Sequence, residues 1–125
     1  MPLDYSIEAD GGLLTVTTKG FDDNIDEAVK YGEDIIRQCF ENNCRMMFVD
    51  ERQVAAVLDP VSQYEMVQRL KSLIPYELSI ALLANIDHYQ DTSFGGMVAE
   101  NRGINVKVFT SAQDALAWLR LCQPQ

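Results

Sequence analysis

Basic residues are scarce in this 125-residue chain: ten Lys and Arg stand against nineteen Asp and Glu, giving a formal net charge of −9. Nucleic acids and anionic membrane surfaces are bound through clustered Lys and Arg, so neither is expected as a partner. Cysteine is sparse as well. Cys39, Cys44 and Cys122 form an odd set with no CxxC spacing, which points to reduced thiols rather than a disulfide framework or a zinc site. His88 is the only histidine, and no second nitrogen ligand stands at HxH or HxxxH spacing, so no structural or catalytic metal and no cofactor is expected. No apolar run approaches the roughly 20 residues that cross a bilayer, and Met1-Pro2-Leu3-Asp4 lacks the basic start of a signal peptide, so a cytoplasmic protein without membrane insertion is expected. The chain also lacks a Gly-rich phosphate loop, a nucleotide fingerprint and a Ser or Cys nucleophile with a paired base.

What is present describes a folded domain. The length suits a single unit over residues 1–125, and a composition of 47% hydrophobic and 23% charged residues suits a packed core. Residues 1–41 hold ten acids against Lys19, Lys30 and Arg37, an uneven distribution best explained by a solvated acidic face. Leu3, Tyr5 and Ile7 alternate with polar residues, Asp10-Gly11-Gly12 supplies a turn, and Leu14, Val16 and Thr18 alternate again, the pattern of a β-hairpin. Apolar or small residues at Ile25, Ala28, Val29, Gly32, Ile36, Cys39 and Phe40 then predict an amphipathic helix, with Gly32 marking a close approach to the sheet. Its outer face offers Asp26 with Lys30 and Glu33 with Arg37 at four-residue spacing.

Met46-Met47-Phe48-Val49 reads as a strand that stops in Asp50-Glu51-Arg52 and passes through a loop containing Val54-Ala55-Ala56-Val57. Asp59-Pro60 then starts a helix, because a carboxylate caps free N–H groups and proline suits the first helical position. Tyr64, Val67, Leu70 and Ile74 form its stripe, and Pro75 ends it. Leu78 to Ala84 is a central strand, and Asp91 is expected to cap a helix with Phe94, Met97 and Val98 that Gly95-Gly96 weaken and Gly103 terminates. Val106 to Phe109 is a last strand, and Ser111 with Asp114 is a capping box for a final helix through Ala112, Ala115, Leu116, Leu119 and Cys122. The order is β-β-α-β-α-β-α-β-α, an α/β fold whose later strands are parallel and whose first strand joins antiparallel.

With this order and the stretches Ala28-Val29-Lys30-Tyr31-Gly32, Phe48-Val49-Asp50-Glu51-Arg52, Ala81-Leu82-Leu83-Ala84, His88-Tyr89-Gln90-Asp91 and Asn101-Arg102-Gly103-Ile104-Asn105-Val106-Lys107-Val108-Phe109, closed by Ala115-Leu116-Ala117-Trp118-Leu119, the chain resembles the bacterial STAS-like group related to sporulation anti-sigma-factor antagonists. That group also shares architecture with CRAL-TRIO lipid-carrier domains. The resemblance implies a non-enzymatic regulatory module that binds a protein partner. In the antagonists proper, an Asp-Ser-Ser-Gly-Leu-like stretch after the third strand carries a phosphorylated serine. Here Pro60 follows Asp59, so the usual phosphorylatable hydroxyl is missing and Ser62 is the nearest one.

The partner surface expected from this reading comprises Asp50, Glu51, Arg52, Asp59, Ser62 and Tyr64, joined by Asp87, His88 and Tyr89. The alternative is a small-ligand or lipid carrier, in which flexible Met46, Met47, Met66 and Met97 line a cavity for a small apolar molecule. Monomer and homodimer both remain open. An enzyme using His88 is the weaker reading, since one imidazole among scattered carboxylates does not specify a site. Asp50 at a strand end, with Asp22-Asp23 and Lys107, loosely imitates the phosphate-accepting site of receiver domains. Arg102 is assigned to helix-cap duty at the opposite edge.

Overall fold

Two runs of alternating apolar residues meet across a turn in which Gly11 and Gly12 take φ of +58° and +85°, a left-handed backbone open to glycine at little cost. They form β1 (Asp4–Asp10) and β2 (Leu13–Phe21), paired antiparallel with Asp10 opposite Leu13. The computed structural model describes residues 3–122. After the hairpin come α1 (Ile25–Glu41), β3 (Met46–Ala56), α2 (Pro60–Leu70) with a 3₁₀ turn at Lys71–Leu73, β4 (Ser79–Ala84), a 3₁₀ turn at Ile86–His88 running into α3 (Tyr89–Glu100), β5 (Asn105–Phe109) and α4 (Ala112–Leu121).

The caps show why these elements start where they do. Asn24 accepts the Glu27 N–H at 3.1 Å, Asp59 accepts the Ser62 N–H at 2.8 Å, and Ser111 accepts the Asp114 N–H at 3.3 Å. Asp91 does not cap α3; Asn85 caps the preceding 3₁₀ turn instead, and Asp91 lies in the first turn of the helix. In α1, Phe40 is 54% exposed, while Tyr31 and Ile35 take the buried places. The expected charge pairs on α1 are replaced by others. Arg37 bridges Asp34 and Glu41, and Asp26 reaches across to Arg69 of α2.

The sheet order is β1-β2-β3-β4-β5, with β1 antiparallel and the rest parallel. Each parallel step moves one place in the same direction, so right-handed crossovers put α1, α2 and α3 on one face. α4 covers the other face at β3 to β5, burying Met46, Phe48, Ala81 and Leu83 against Ala115 and Leu119. Because the order never reverses, the sheet has no topological switch point, and a ligand site has to arise some other way.

Within the three-helix layer, α2 packs chiefly on α1 and α3 rather than on the strands. Glycines make this possible. A Cβ on Gly32 of α1 would meet Leu70 of α2 at 2.5 Å, and one on Gly95 of α3 would collide with the Gln63 amide of α2. Gly32 thus marks a close approach to α2, not to the sheet. Gly96 faces the strands, where a Cβ would come within 2.7 Å of Val108. The Gly95-Gly96 pair weakens α3 as an isolated helix but lets it sit tightly against both neighbours.

Candidate functional site

The segment from Asp50 to Ala56 is strand, not loop. β3 runs 11 residues and outlasts β4, whose last paired residue, Ala84, lies opposite Glu51. Beyond that point β3 pairs only with β2, through Gln53 with Lys19, Val54 with Gly20 and Ala56 with Phe21, across two register irregularities. The free edge of this extension is closed by side chains. Asn85 Nδ2 donates to the Val54 carbonyl at 3.0 Å, and His88 Nε2 donates to the Ala55 carbonyl at 2.9 Å. A carbonyl only accepts, so the Nε2 of His88 carries the proton. Val54 folds under and is 1% exposed, so the apolar Val54-Val57 stretch is not an open patch.

The residues expected at a partner surface divide into three local arrangements. Asp50 accepts from Arg52 Nε at 3.0 Å, Nη2 at 2.7 Å and backbone N–H at 3.1 Å, a fork that leaves its side chain 15% exposed and that of Arg52 54% exposed. Burial pushes the Asp50 carboxyl up, but the Arg52 bonds outweigh it and hold the group below its ordinary value. Asp59 caps α2, and its second oxygen accepts the Ser62 hydroxyl at 3.2 Å. Tyr64 is exposed, accepts from Gln68 Nε2 at 2.7 Å and lies under the Arg102 guanidinium, 4.7 Å from the ring centroid. Arg102 does reach the end of its own helix, donating to the Val98 carbonyl at 3.3 Å, but it also joins α3 to α2. Tyr89 opens α3 and is partly exposed.

Glu51 stands apart from this set. Strand alternation puts it on the same face as Met47 and Val49, under the three-helix layer, where it lines a cavity of about 180 Å³. Tyr31 O–H donates to it at 3.1 Å, and the Thr18 hydroxyl bonds Tyr31 at 2.8 Å. Burial, then the charge of Asp22, pushes the Glu51 carboxyl up to about 7. Asp22 lines the same cavity, and burial together with Glu27 and Asp23 pushes it up to about 6. One Asp22 carboxylate oxygen is buried without a hydrogen-bond partner. Gln63, also lining, donates its amide to the Leu58 carbonyl at 2.6 Å. Tyr31 and Gln63 were not expected at a site, and Asp22 was expected only in the receiver-like constellation. The usable signal was the period-two alternation of Met47, Val49 and Glu51, which sends a charged side chain to an apolar face.

Of the four methionines expected around a cavity, Met47 and Met66 line this one. Met46 packs on the α4 side and Met97 is 53% exposed. The receiver-like constellation does not assemble. Lys107 lies next to Val106 and Val108 in β5 and so faces the α4 side, near the Phe109 ring, whereas Asp22 lines the cavity on the other face. Among the described residues, no group of three or more His, Cys, Asp or Glu is arranged to hold a metal ion, and no helix is long and apolar enough to cross a membrane.

No family model matches the sequence, and no curated protein matches it. Among solved structures, an anti-sigma factor antagonist from Mycobacterium paratuberculosis is similar at 14% identity over 94% of each chain, with a TM-score of 0.66. At that identity the likeness is one of fold, and the chain accordingly has the STAS-like α/β fold of an anti-sigma factor antagonist.

Proposed function

We propose that this protein is a non-enzymatic regulatory module of the cytoplasm, acting as one unit over residues 1–125, that binds a protein partner at the carboxyl edge of its sheet. The observation that carries this reading is a set of exposed apolar side chains that the topology puts at that edge: Val61 at 79% in the first turn of α2, Ile86 at 76% in the 3₁₀ turn before α3, and Tyr89 at 40% at the start of α3. Exposed large apolar groups on neighbouring elements, flanked by polar ones, are the usual make-up of a protein-binding surface. Asp59, Asp87 and Asp91 flank them, so the partner's complementary face is apolar with basic surroundings. Arg52, Ser62 and His88 complete the rim. The similarity in fold to an anti-sigma factor antagonist supports a regulatory, protein-binding role.

His88 contributes structure to this surface rather than chemistry, since its Nε2 is spent on the Ala55 carbonyl. Regulation by phosphate at the antagonists' usual place is absent in this reading, because Pro60 occupies the first position of α2 and has no hydroxyl.

The test is affinity capture with the wild type beside a Val61→Glu/Ile86→Glu variant and a Leu121→Glu control, Leu121 being 84% exposed at the far end of α4. All three should unfold within about 0.5 kcal/mol of one another, as exposed positions do. The edge variant should lose partners that wild type and control both retain. Equal capture by all three would sink the assignment.

A further inference from the structure

The cavity under α2 is the least ordinary feature of the molecule. α2 is wedged between α1 and α3 on Gly32 and Gly95 and stands away from the strands, and the space it leaves is walled by apolar groups such as Ile35, Val49, Val67 and Ile80. Its volume of about 180 Å³ slightly exceeds that of an apolar cavity of about 150 Å³ known to hold benzene. Carboxyls stand at one part of this wall. Glu51 is set deep among protein atoms and lines the cavity. Of the donors on the wall, the Tyr31 O–H is committed to Glu51 and the Gln63 amide to Leu58, and the Thr92 hydroxyl is contributed by α3. The Asp22 oxygen is left over. Among the described residues, no Lys, Arg or His lines the cavity.

We propose that this cavity binds a small amine, a molecule with a benzene-sized apolar body and one ammonium head seated between the carboxyls of Asp22 and Glu51. The reading is independent of the partner surface at the sheet edge. A carboxylate ligand would bring a third negative group into a space with no cation to meet it. A wholly apolar ligand would leave the Asp22 oxygen unpaired, a loss that an ammonium N–H removes. With the cavity empty, the raised carboxyls keep a proton near neutral pH, so seating an ammonium displaces it. The charged and titratable groups around the pair are Tyr31 and Glu27 from α1, Asp23 from the β2–α1 connection and Asp50 from β3. α2 and α3 contribute Gln63 and Thr92, which do not titrate. Amine affinity therefore rises with pH between about 5 and 8.

Benzylamine is a suitable probe, with benzyl alcohol and benzoate as neutral and anionic molecules of similar shape. Calorimetry at pH 8 should show saturable benzylamine binding, about tenfold or more weaker binding of benzyl alcohol, and none of benzoate. Heats measured in two buffers of different ionisation enthalpy should show proton release at pH 6.5. In methyl NMR the Met47 and Met66 signals should shift, while Met46 and Met97 stay in place. Glu51→Gln and Asp22→Asn should each weaken benzylamine about tenfold and leave benzyl alcohol unchanged. Benzoate binding as well as benzylamine, shifts confined to Met46 or Met97, or unchanged amine affinity in both variants would each overturn the proposal.

Discussion

Replacing Glu51 by glutamine removes one ionisable group from beneath α2 and almost nothing else. The amide oxygen still accepts the Tyr31 hydroxyl, and the amide NH₂ can turn toward Asp22. In the wild type, the folded state holds the Glu51 proton up to about pH 7, whereas the ordinary value is 4.5. The folded protein therefore binds more protons than the unfolded chain inside that window, and stability contributed at low pH is lost as the pH rises through it. With each pH unit worth about 1.4 kcal/mol, a carboxyl raised from 4.5 to about 7 costs the fold about 3 kcal/mol once fully ionised. At pH 5 the cost is under about 1 kcal/mol, because the folded group is still protonated.

Glu51→Gln should accordingly stabilise the protein by about 3 kcal/mol at pH 8, about 10 °C in Tm for a chain of this length, and by less than about 1 kcal/mol at pH 5. Urea unfolding followed by circular dichroism at both pH values measures the two differences. Asp50 does not confuse the comparison, since its depressed value places its titration below the window. A variant less stable than wild type at pH 8, or a difference independent of pH, would refute the reasoning. Either result would mean that ionised Glu51 is held by favourable interactions.

Arg52→Ala should raise the Asp50 pKa, because it removes the guanidinium charge and its two side-chain bonds while burial and the single backbone N–H bond stay; a carboxyl-detected NMR titration in which Asp50 keeps its wild-type value would contradict this. Gly96→Leu should destabilise by about 2 kcal/mol or more, since overpacking against a stiff Val108 outweighs a helix-propensity gain of about 1 kcal/mol; thermal unfolding at or above the wild-type midpoint would show that α3 moves aside freely. Ser62 should be unmodified in cells, because its hydroxyl is bonded to the Asp59 carboxylate and Arg69, two turns further along α2, is already paired with Asp26 and Glu65. Substantial Ser62 occupancy in phosphopeptide mapping, with loss of binding in Ser62→Asp, would restore a kinase-regulated mechanism.

The element order was legible because it rests on strong local signals. The Gly-Gly turn, the Asp59-Pro60 start and the Ser111 cap each satisfy backbone groups in a way that few other residues can, and the helices and strands follow at their own periods. The extension of β3 was not legible, since charged Asp50, Glu51 and Arg52 resemble a loop in sequence. They are strand because β2 is long enough to pair with them beyond the end of β4, a tertiary fact that overrides β-propensity. Of the expected surface residues, Asp50 turned out to be held by its neighbour Arg52, His88 to be a backbone clasp, and Glu51 to face inward. Asp22, Tyr31 and Gln63 come from three separate parts of the chain, and only the packed helices bring them to one wall.

The strand order itself explains why the cavity lies where it does. A sheet built by successive right-handed steps in one direction sends all three crossover helices to one face, and three helices must then share the width of four parallel strands. The outer two can lie against the sheet, as the Gly96–Val108 approach shows for α3. The middle helix meets two neighbours, and when both present glycines, its best packing is between them rather than on the strands below. Space under α2 follows. A chain selected for stability alone would fill that space with larger apolar side chains, each worth about 1 kcal/mol per added methyl group. This chain instead directs Glu51 into it and leaves an Asp22 oxygen unpaired, at a cost of several kcal/mol at neutral pH. Two carboxyls kept at such a cost in an apolar hollow make structural sense when something with a positive charge enters to meet them.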